Sequence, residues 1–205
     1  MKELKQRIVD IAYKHKLGHL GSYLSSVAIV DKIFQQKQPE DIFILSSGHA
    51  ALALYVCLEK YHGLDAEELF IQQGGHPHLD EKNHIYCSTG SLGLGITVAV
   101  GRALANPKRK VYVLISDGEC AEGSVWESLK VIYEMNIQNI EIYVNVNGMA
   151  GYDEVNTEYL VDRLKVFLPS IHIEYTTVEQ YPFLKGLNAH YHIMKEHDYL
   201  TTKSN

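Results

Sequence analysis

Between residues 110 and 146 the chain spells out a strand, an amphipathic helix and a second strand, and this run limits the fold more than any other. Residues 110–115 are rich in β-branched and aromatic side chains and stop at Ser116-Asp117-Gly118, where glycine breaks the extended pattern. Residues 122–134 repeat apolar positions at helical spacing, with Trp126, Leu129 and Tyr133 on one face, and residues 141–146 are again strand-like. Two strands joined by one such helix form a parallel crossover, which buries strands on both faces. The expectation is an α/β fold: a parallel β-sheet covered by helices on both faces.

The flanking sequence fills in the remaining elements. Leu4, Ile8, Ile11 and Ala12 recur at helical spacing, and Gly18 and Gly21 close that segment around His19. A second helix is predicted over 24–34, a short strand over 41–45, and, after Ser46-Ser47-Gly48-His49, a third helix to Tyr61, with Gly63 as its stop. The pattern weakens over 69–81, and Gly74-Gly75-His76-Pro77-His78 reads as loop. A strand at 84–88 feeds the glycine-rich turn 89–95 and a helix to Ala105, with Val98, Ala99, Val100 and Leu104 inward. A helix over 157–167 and a strand over 171–175 follow, and residues 201–205 are expected to fray.

Composition excludes several classes. The 205 residues suit a single domain, 1–205. A net charge of −6 argues against nucleic acid as a partner, and Lys108-Arg109-Lys110 reads as a solvated turn. Cys57, Cys87 and Cys120 have no metal-ligand spacing, and no apolar run is long enough for a membrane span. A cytoplasmic protein with reduced thiols is expected.

Asp117 and Asn147 each follow one of the two consecutive strands, 30 residues apart. Ligands of open α/β sheets collect beyond the carboxyl ends of the strands, so one crossover sets a carboxylate and a carboxamide side by side there. Both are hard oxygen donors suited to Mg²⁺, though too few to enclose it. Capping of the next helix by Asp117, and a turn made by Asn147 with Gly148, account for the same residues equally well.

The surrounding residues resemble a known family. Ser116-Asp117-Gly118-Glu119, Glu122-Gly123, Trp126-Glu127 and then Asn147 are similar to the thiamine diphosphate signature of transketolases. Gly18-His19-Leu20-Gly21, Leu45-Ser46-Ser47-Gly48-His49-Ala50, Gly75-His76-Pro77 and Thr89-Gly90-Ser91-Leu92-Gly93-Leu94-Gly95 resemble further transketolase elements in the same order. Departures are small: Ser116 stands for a glycine, Leu20 and Ser91 for prolines, and Leu94 for a glutamine.

The resemblance implies the thiamine diphosphate-binding fold, with Asp117, the Asn147 side chain and the Met149 carbonyl ligating Mg²⁺, for which Ca²⁺ or Mn²⁺ can substitute. It implies that Gly118, Glu119 and Glu122 join the cofactor-binding set and that Gly90, Ser91 and Leu92 approach the aminopyrimidine. It gives His19, His49 and His76 catalytic positions around the thiazolium, since neutral imidazole donates or accepts near neutral pH. Glu122 and Glu127 match interface glutamates, or else are solvated helix charge. Ala189-His190-Tyr191-His192 resembles a Trp-His-Tyr stretch, making His190 catalytic, with His192 in reserve or paired with it on a metal.

The implied activity is transfer of a two-carbon ketol unit between sugar phosphates in the pentose phosphate pathway. In that family a glutamate activates the cofactor, and arginines and a serine hold the sugar phosphate, all from a pyrimidine-binding domain that nothing here resembles. A separate C-terminal transketolase subunit in an α₂β₂ heterotetramer is therefore expected. Three alternatives remain: deoxyxylulose phosphate synthesis, a non-catalytic cofactor-binding subunit, and a short-chain NAD(P) dehydrogenase using Tyr181 and Lys185.

Overall fold

The computed structural model describes residues 1–203. Its centre is a sheet of four parallel strands, β1 (Ile42–Leu45), β2 (Val111–Ser116), β3 (Ile140–Val146) and β4 (His172–Tyr175), hydrogen-bonded in that order. Every residue of β1 and β2 is buried, as a parallel strand covered on both faces requires.

Alternation along the strands divides the apolar side chains between two cores. Phe43, Leu45, Tyr112, Leu114 and Tyr143 face α1 (Lys2–Lys14), α2 (Leu20–Gln36) and α3 (Ala51–His62). Ile44, Val113, Ile115, Ile142 and Val144 face α5 (Leu94–Ala105), α6 (Gly123–Glu134) and α7 (Thr157–Phe167). The sheet is thus covered on both sides, and α6 is the crossover between β2 and β3.

Several local expectations are corrected. Gly21 does not close α1; it lies inside α2, which starts at Leu20. A Cβ at Gly21 would sit 2.9 Å from Val178 Cβ and 3.1 Å from Ala189 Cβ, so glycine serves close packing there. The weak stretch after Gly63 contains α4 (Ala66–Gln73), capped by Asp65, whose carboxylate accepts from the Glu67 and Glu68 amides. Residues 84–88 form no strand, because His84 takes a left-handed conformation (φ 61°) that interrupts extended backbone.

Two helices are rotated from their expected phase. In α5 the buried stripe is Ile96, Ala99, Val100 and Ala103, which turns Val98 and Leu104 to the surface. In α6 it is Val125, Ser128, Leu129 and Ile132, leaving Tyr133 exposed and Trp126 half-buried beneath Arg163 and Phe167.

Beyond β4 come α8 (Asn188–Tyr191) and α9 (Glu196–Lys203). The expected fraying is corrected for 201–203, which are helical, whereas 204–205 lie outside the described residues. Tyr199 holds α9 to α1 by stacking on Tyr13, with ring centroids 4.2 Å apart, and by donating its hydroxyl proton to Asp10. No helix among the described residues is long and apolar enough to cross a membrane.

Candidate active site

The carboxyl ends of β1, β2 and β3 share one edge of the sheet, so the residues that follow them converge. Asp117 is 2% exposed and spreads its carboxylate over three backbone amides. Oδ1 accepts from Gly118 at 3.0 Å, and Oδ2 accepts from Asn147 at 2.9 Å and Gly148 at 2.6 Å. One carboxylate therefore ties the tip of β2 to the tip of β3. Asn147 Oδ1 accepts from the Met149 amide at 2.9 Å, which fixes the side-chain oxygen at the head of the loop 147–151.

These donors can be tested against a metal-bound diphosphate. Burial pushes Asp117 up to about 6, against the opposing pull of its amides. A carboxylate so deep, with amide dipoles as its only partners among the described residues, gains from a cation. A carboxylate, a carboxamide oxygen and a main-chain carbonyl are hard donors that leave octahedral positions for phosphate and water. The loop 147–151 also lies close over the β2 tip, since a Cβ at Gly118 would approach Ala150 Cα to 3.0 Å. The residues fit such a group.

Above this edge lies a cavity of about 300 Å³ lined by His19, His49, His76, His190, Asn147 and Met149 together with Gly90, Leu92 and Gly118. The four imidazoles come from four separate places in the chain. His19 is the N-cap of α2 and takes a left-handed conformation (φ 63°). His49 sits in the 3₁₀ turn after β1, His76 in the loop after α4, and His190 on α8. Ring centroids of His19 and His190 are 4.1 Å apart, those of His49 and His190 5.5 Å, and those of His19 and His49 5.8 Å.

Burial foremost, then the neighbouring imidazoles of His190, His19 and His76, push His49 down to about 3. Burial and His19 push His190 down to about 4, and the same two causes lower His76. These three rings are neutral near pH 7 and offer hydrogen bonds without charge.

The remaining sequence-predicted residues stand back from the cavity. Glu119 is fully buried, where Oε1 accepts from Ser46 Oγ at 2.7 Å and Gly93 N at 2.9 Å, and Oε2 from Ser116 N at 3.1 Å. It thus binds the glycine-rich loop to the tips of β1 and β2, and it reaches the cavity only through them. Ser91, Glu122 and Glu127 are exposed and do not line the cavity, although Gly93 packs against Glu122. His192 is turned away onto Asp198 at 2.9 Å, so it forms no metal pair with His190. Among the described residues no three His, Cys, Asp or Glu side chains gather as a metal site. Tyr181 and Lys185 are also off the cavity, Tyr181 stacked on Phe183 and Lys185 paired with Glu179.

Sequence reasoning missed Ser22, Tyr152, Val178 and Tyr191 as lining residues. Ser22 lies one helical turn beyond His19, a spacing that could have found it. Tyr152 follows the loop 147–151 and Tyr191 follows His190 in the chain, whereas Val178 is brought in by packing against Gly21; the Tyr191 hydroxyl donates to the Gly151 carbonyl at 2.5 Å.

The family model described as "Transketolase, thiamine diphosphate binding domain" matches residues 1–167. An apulose-4-phosphate transketolase subunit from Phocaeicola vulgatus is 32% identical over 188 residues, covering 80% of this chain and 66% of that protein. The subunit of the same name from Actinobacillus succinogenes is 32% identical over 196 residues, covering 83% and 71%. A 1-deoxy-D-xylulose-5-phosphate synthase from Fusobacterium nucleatum is 32% identical over 153 residues, covering 72% and 25%. In fold, a transketolase variant from Pichia stipitis superposes with a TM-score of 0.77 at 18% identity, covering 99% of this chain and 39% of its own. Transketolase from Leishmania mexicana gives 0.72 at 19% identity, covering 99% and 40%. The chain spans about two thirds of the two apulose-4-phosphate transketolase subunits and a quarter of the synthase.

Proposed function

This chain belongs to the transketolase family through its thiamine diphosphate-binding domain, and on that premise we propose that it is the cofactor-binding subunit of a split transketolase. The 205 residues act as one diphosphate-binding domain. Asp117, the Asn147 side chain and the Met149 carbonyl hold Mg²⁺, and through it the diphosphate. Gly90 and Leu92 line the same cavity. The observation that carries the reading is the joining of the Asp117 carboxylate to the backbone of Asn147, which lines the same cavity as four imidazoles.

Thiamine diphosphate supplies, when bound, a nucleophilic carbon on which a two-carbon ketol unit travels between sugars. The chain's own residues orient the hydroxyls of the sugars: His49 and His190, held neutral, donate to or accept from them without an ionic cost. No lysine or arginine is among the described residues lining the cavity. The sugar phosphate dianion and the activation of the aminopyrimidine are left to a pyrimidine-binding C-terminal subunit, in an α₂β₂ assembly in the cytoplasm. Sugar phosphates of the pentose phosphate pathway, and apulose 4-phosphate by analogy with the Phocaeicola and Actinobacillus relatives, are the candidate substrates.

The test mixes this chain with a candidate pyrimidine-binding subunit, thiamine diphosphate and Mg²⁺. Ketol transfer from xylulose 5-phosphate or apulose 4-phosphate is the expected result. Failure of every such mixture to form product removes the activity. Cofactor binding without turnover would instead leave only a non-catalytic binding role, and product from pyruvate would favour the synthase chemistry that the Fusobacterium relative's name describes.

A further inference from the structure

His190 meets the cavity with its ring, but its main-chain carbonyl has a separate effect. That oxygen accepts the backbone N–H of His19 at 2.8 Å and lies 2.9 Å from His19 Nδ1. A carbonyl oxygen can only accept, so the Nδ1 contact is a hydrogen bond only when Nδ1 carries the proton. In the neutral ring Nε2 is then the bare acceptor, because one imidazole nitrogen is protonated and the other is not.

The carbonyl is held in place from several sides. Close packing of Gly21 against Val178 and Ala189 seats α8 on α2. The bare α-carbon of Gly18 faces the same oxygen, which a Cβ there would meet at 3.5 Å. The His192 amide donates to the Asn188 carbonyl at 2.8 Å, and the Tyr191 hydroxyl anchors the helix to Gly151. The clamping side of these contacts, Val178 and residues 186–192, lies beyond residue 167, where the family model ends.

We propose that residues 186–192 are a tautomer clamp: His190, acting through its main-chain carbonyl and not its imidazole, is the positioning residue that fixes His19 in the Nδ1–H form and presents Nε2 to the cavity as an acceptor. The segment outside the matched region then decides what the first histidine of the cavity can do. With the clamp set, His19 takes a hydrogen bond or a proton from a ligand hydroxyl. With the other tautomer it would only donate. That consequence rests on the reading of the cavity as a sugar site, whereas the tautomer itself does not.

The test is long-range ¹H–¹⁵N correlation spectroscopy of the imidazoles in the full chain labelled at histidine. The His19 signal is identified by its loss in His19→Asn. The Nδ1–H pattern is expected in the wild type, and unchanged in His190→Ala, which removes the ring and keeps the carbonyl. Insertion of one glycine after Gly186, which displaces the carbonyl, is expected to move roughly half or more of His19 to the Nε2–H form. An Nε2–H pattern in the wild type overturns the proposal, and so does a tautomer flip in His190→Ala or an unmoved tautomer in a folded insertion variant. If the insertion variant does not fold, the first two measurements decide. An absence of ketol transfer leaves these spectra unaffected, so failure of the clamp and failure of the proposed activity are read separately.

Discussion

The two walls of the cavity are built in opposite ways. The strand-tip wall, Gly118 and Asn147 with Asp117 buried behind them, is assembled by a single crossover and closed by consecutive amides donating to one carboxylate. The histidine wall gathers residues 19, 49, 76 and 190 from four separate loops and helix ends, up to 171 residues apart. The first wall is local and held by charge and dipoles. The second is non-local, held by packing and kept neutral by burial. This difference sets what each should lose when altered.

The largest loss should come from the first wall. Asp117→Asn keeps an acceptor for the amides but removes the anionic metal ligand, so thiamine diphosphate binding in the presence of Mg²⁺ should weaken by roughly 1,000-fold or more. Titration calorimetry checks this, with a thermal melt as control. The folded state should lose about 1–3 kcal/mol in that melt, the cost of leaving a buried amide without an acceptor. Retained Mg²⁺-dependent binding in Asp117→Asn would remove this wall from the cofactor site.

His49→Gln, in the second wall, should do the reverse. Turnover of the complete assembly should fall by roughly 100- to 1,000-fold, the span for losing one positioned hydrogen-bonding group, while cofactor affinity changes little. Comparable losses in both measurements would erase the distinction between the walls.

Glu119, behind the strand-tip wall, should rank next. Its carboxylate supports the glycine-rich loop from both strand tips. Glu119→Gln cannot accept at both oxygens, so one of three buried donors is left unpaired, at a cost of about 1–3 kcal/mol. Denaturant unfolding measures it. An unchanged midpoint would mean the loop is held by other contacts.

The histidine wall also makes a pH prediction. His49 titrates near 3 when folded and near 6.5 when unfolded. Between those values the unfolded chain binds the extra proton, so this residue's contribution to stability is present above pH 6.5 and is lost as pH falls towards 3. Wild type should therefore lose stability faster on acidification than His49→Gln, by up to about 1.4 kcal/mol per pH unit. Asp117 shifts the opposite way but is common to both proteins and cancels. Parallel stability curves would show that His49 is not held neutral by the fold.

The same contrast explains what was legible in the sequence. The crossover was readable because β2, α6 and β3 carry their periodicities locally and end at Asp117 and Asn147. The histidines were readable only through resemblance, since spacing gives no reason for His19 to meet His190. The phases of α5 and α6 failed because an amphipathic pattern marks apolar residues without saying which stripe the sheet covers: Val98 and Leu104 are apolar and exposed. α4 carried a readable signal, Asp65 with Glu68 three residues later, hidden by the weak apolar pattern behind it. The strand expected at 84–88 failed on a single backbone torsion at His84, which residue type does not dictate.

The smallest effect should separate two neighbours that the sequence could not. His190 and His192 are two residues apart on opposite sides of a helix end, and the chain turns between them, with His192 in extended backbone (φ −62°, ψ 126°). That turn sends one ring to the cavity and the other to Asp198, which is 3% exposed. In His192→Gln the Lys195 amide still donates to Asp198, and the glutamine amide can replace the lost donor. The expected change is therefore within about 1 kcal/mol of stability, with ketol transfer and cofactor affinity at wild-type values. His190→Ala should leave stability similar but lower turnover, because its ring is removed from the cavity. Both are read in one experiment, a melt and an initial rate for each variant. Turnover that falls in His192→Gln and not in His190→Ala would exchange the two assignments and place the wrong imidazole in the second wall.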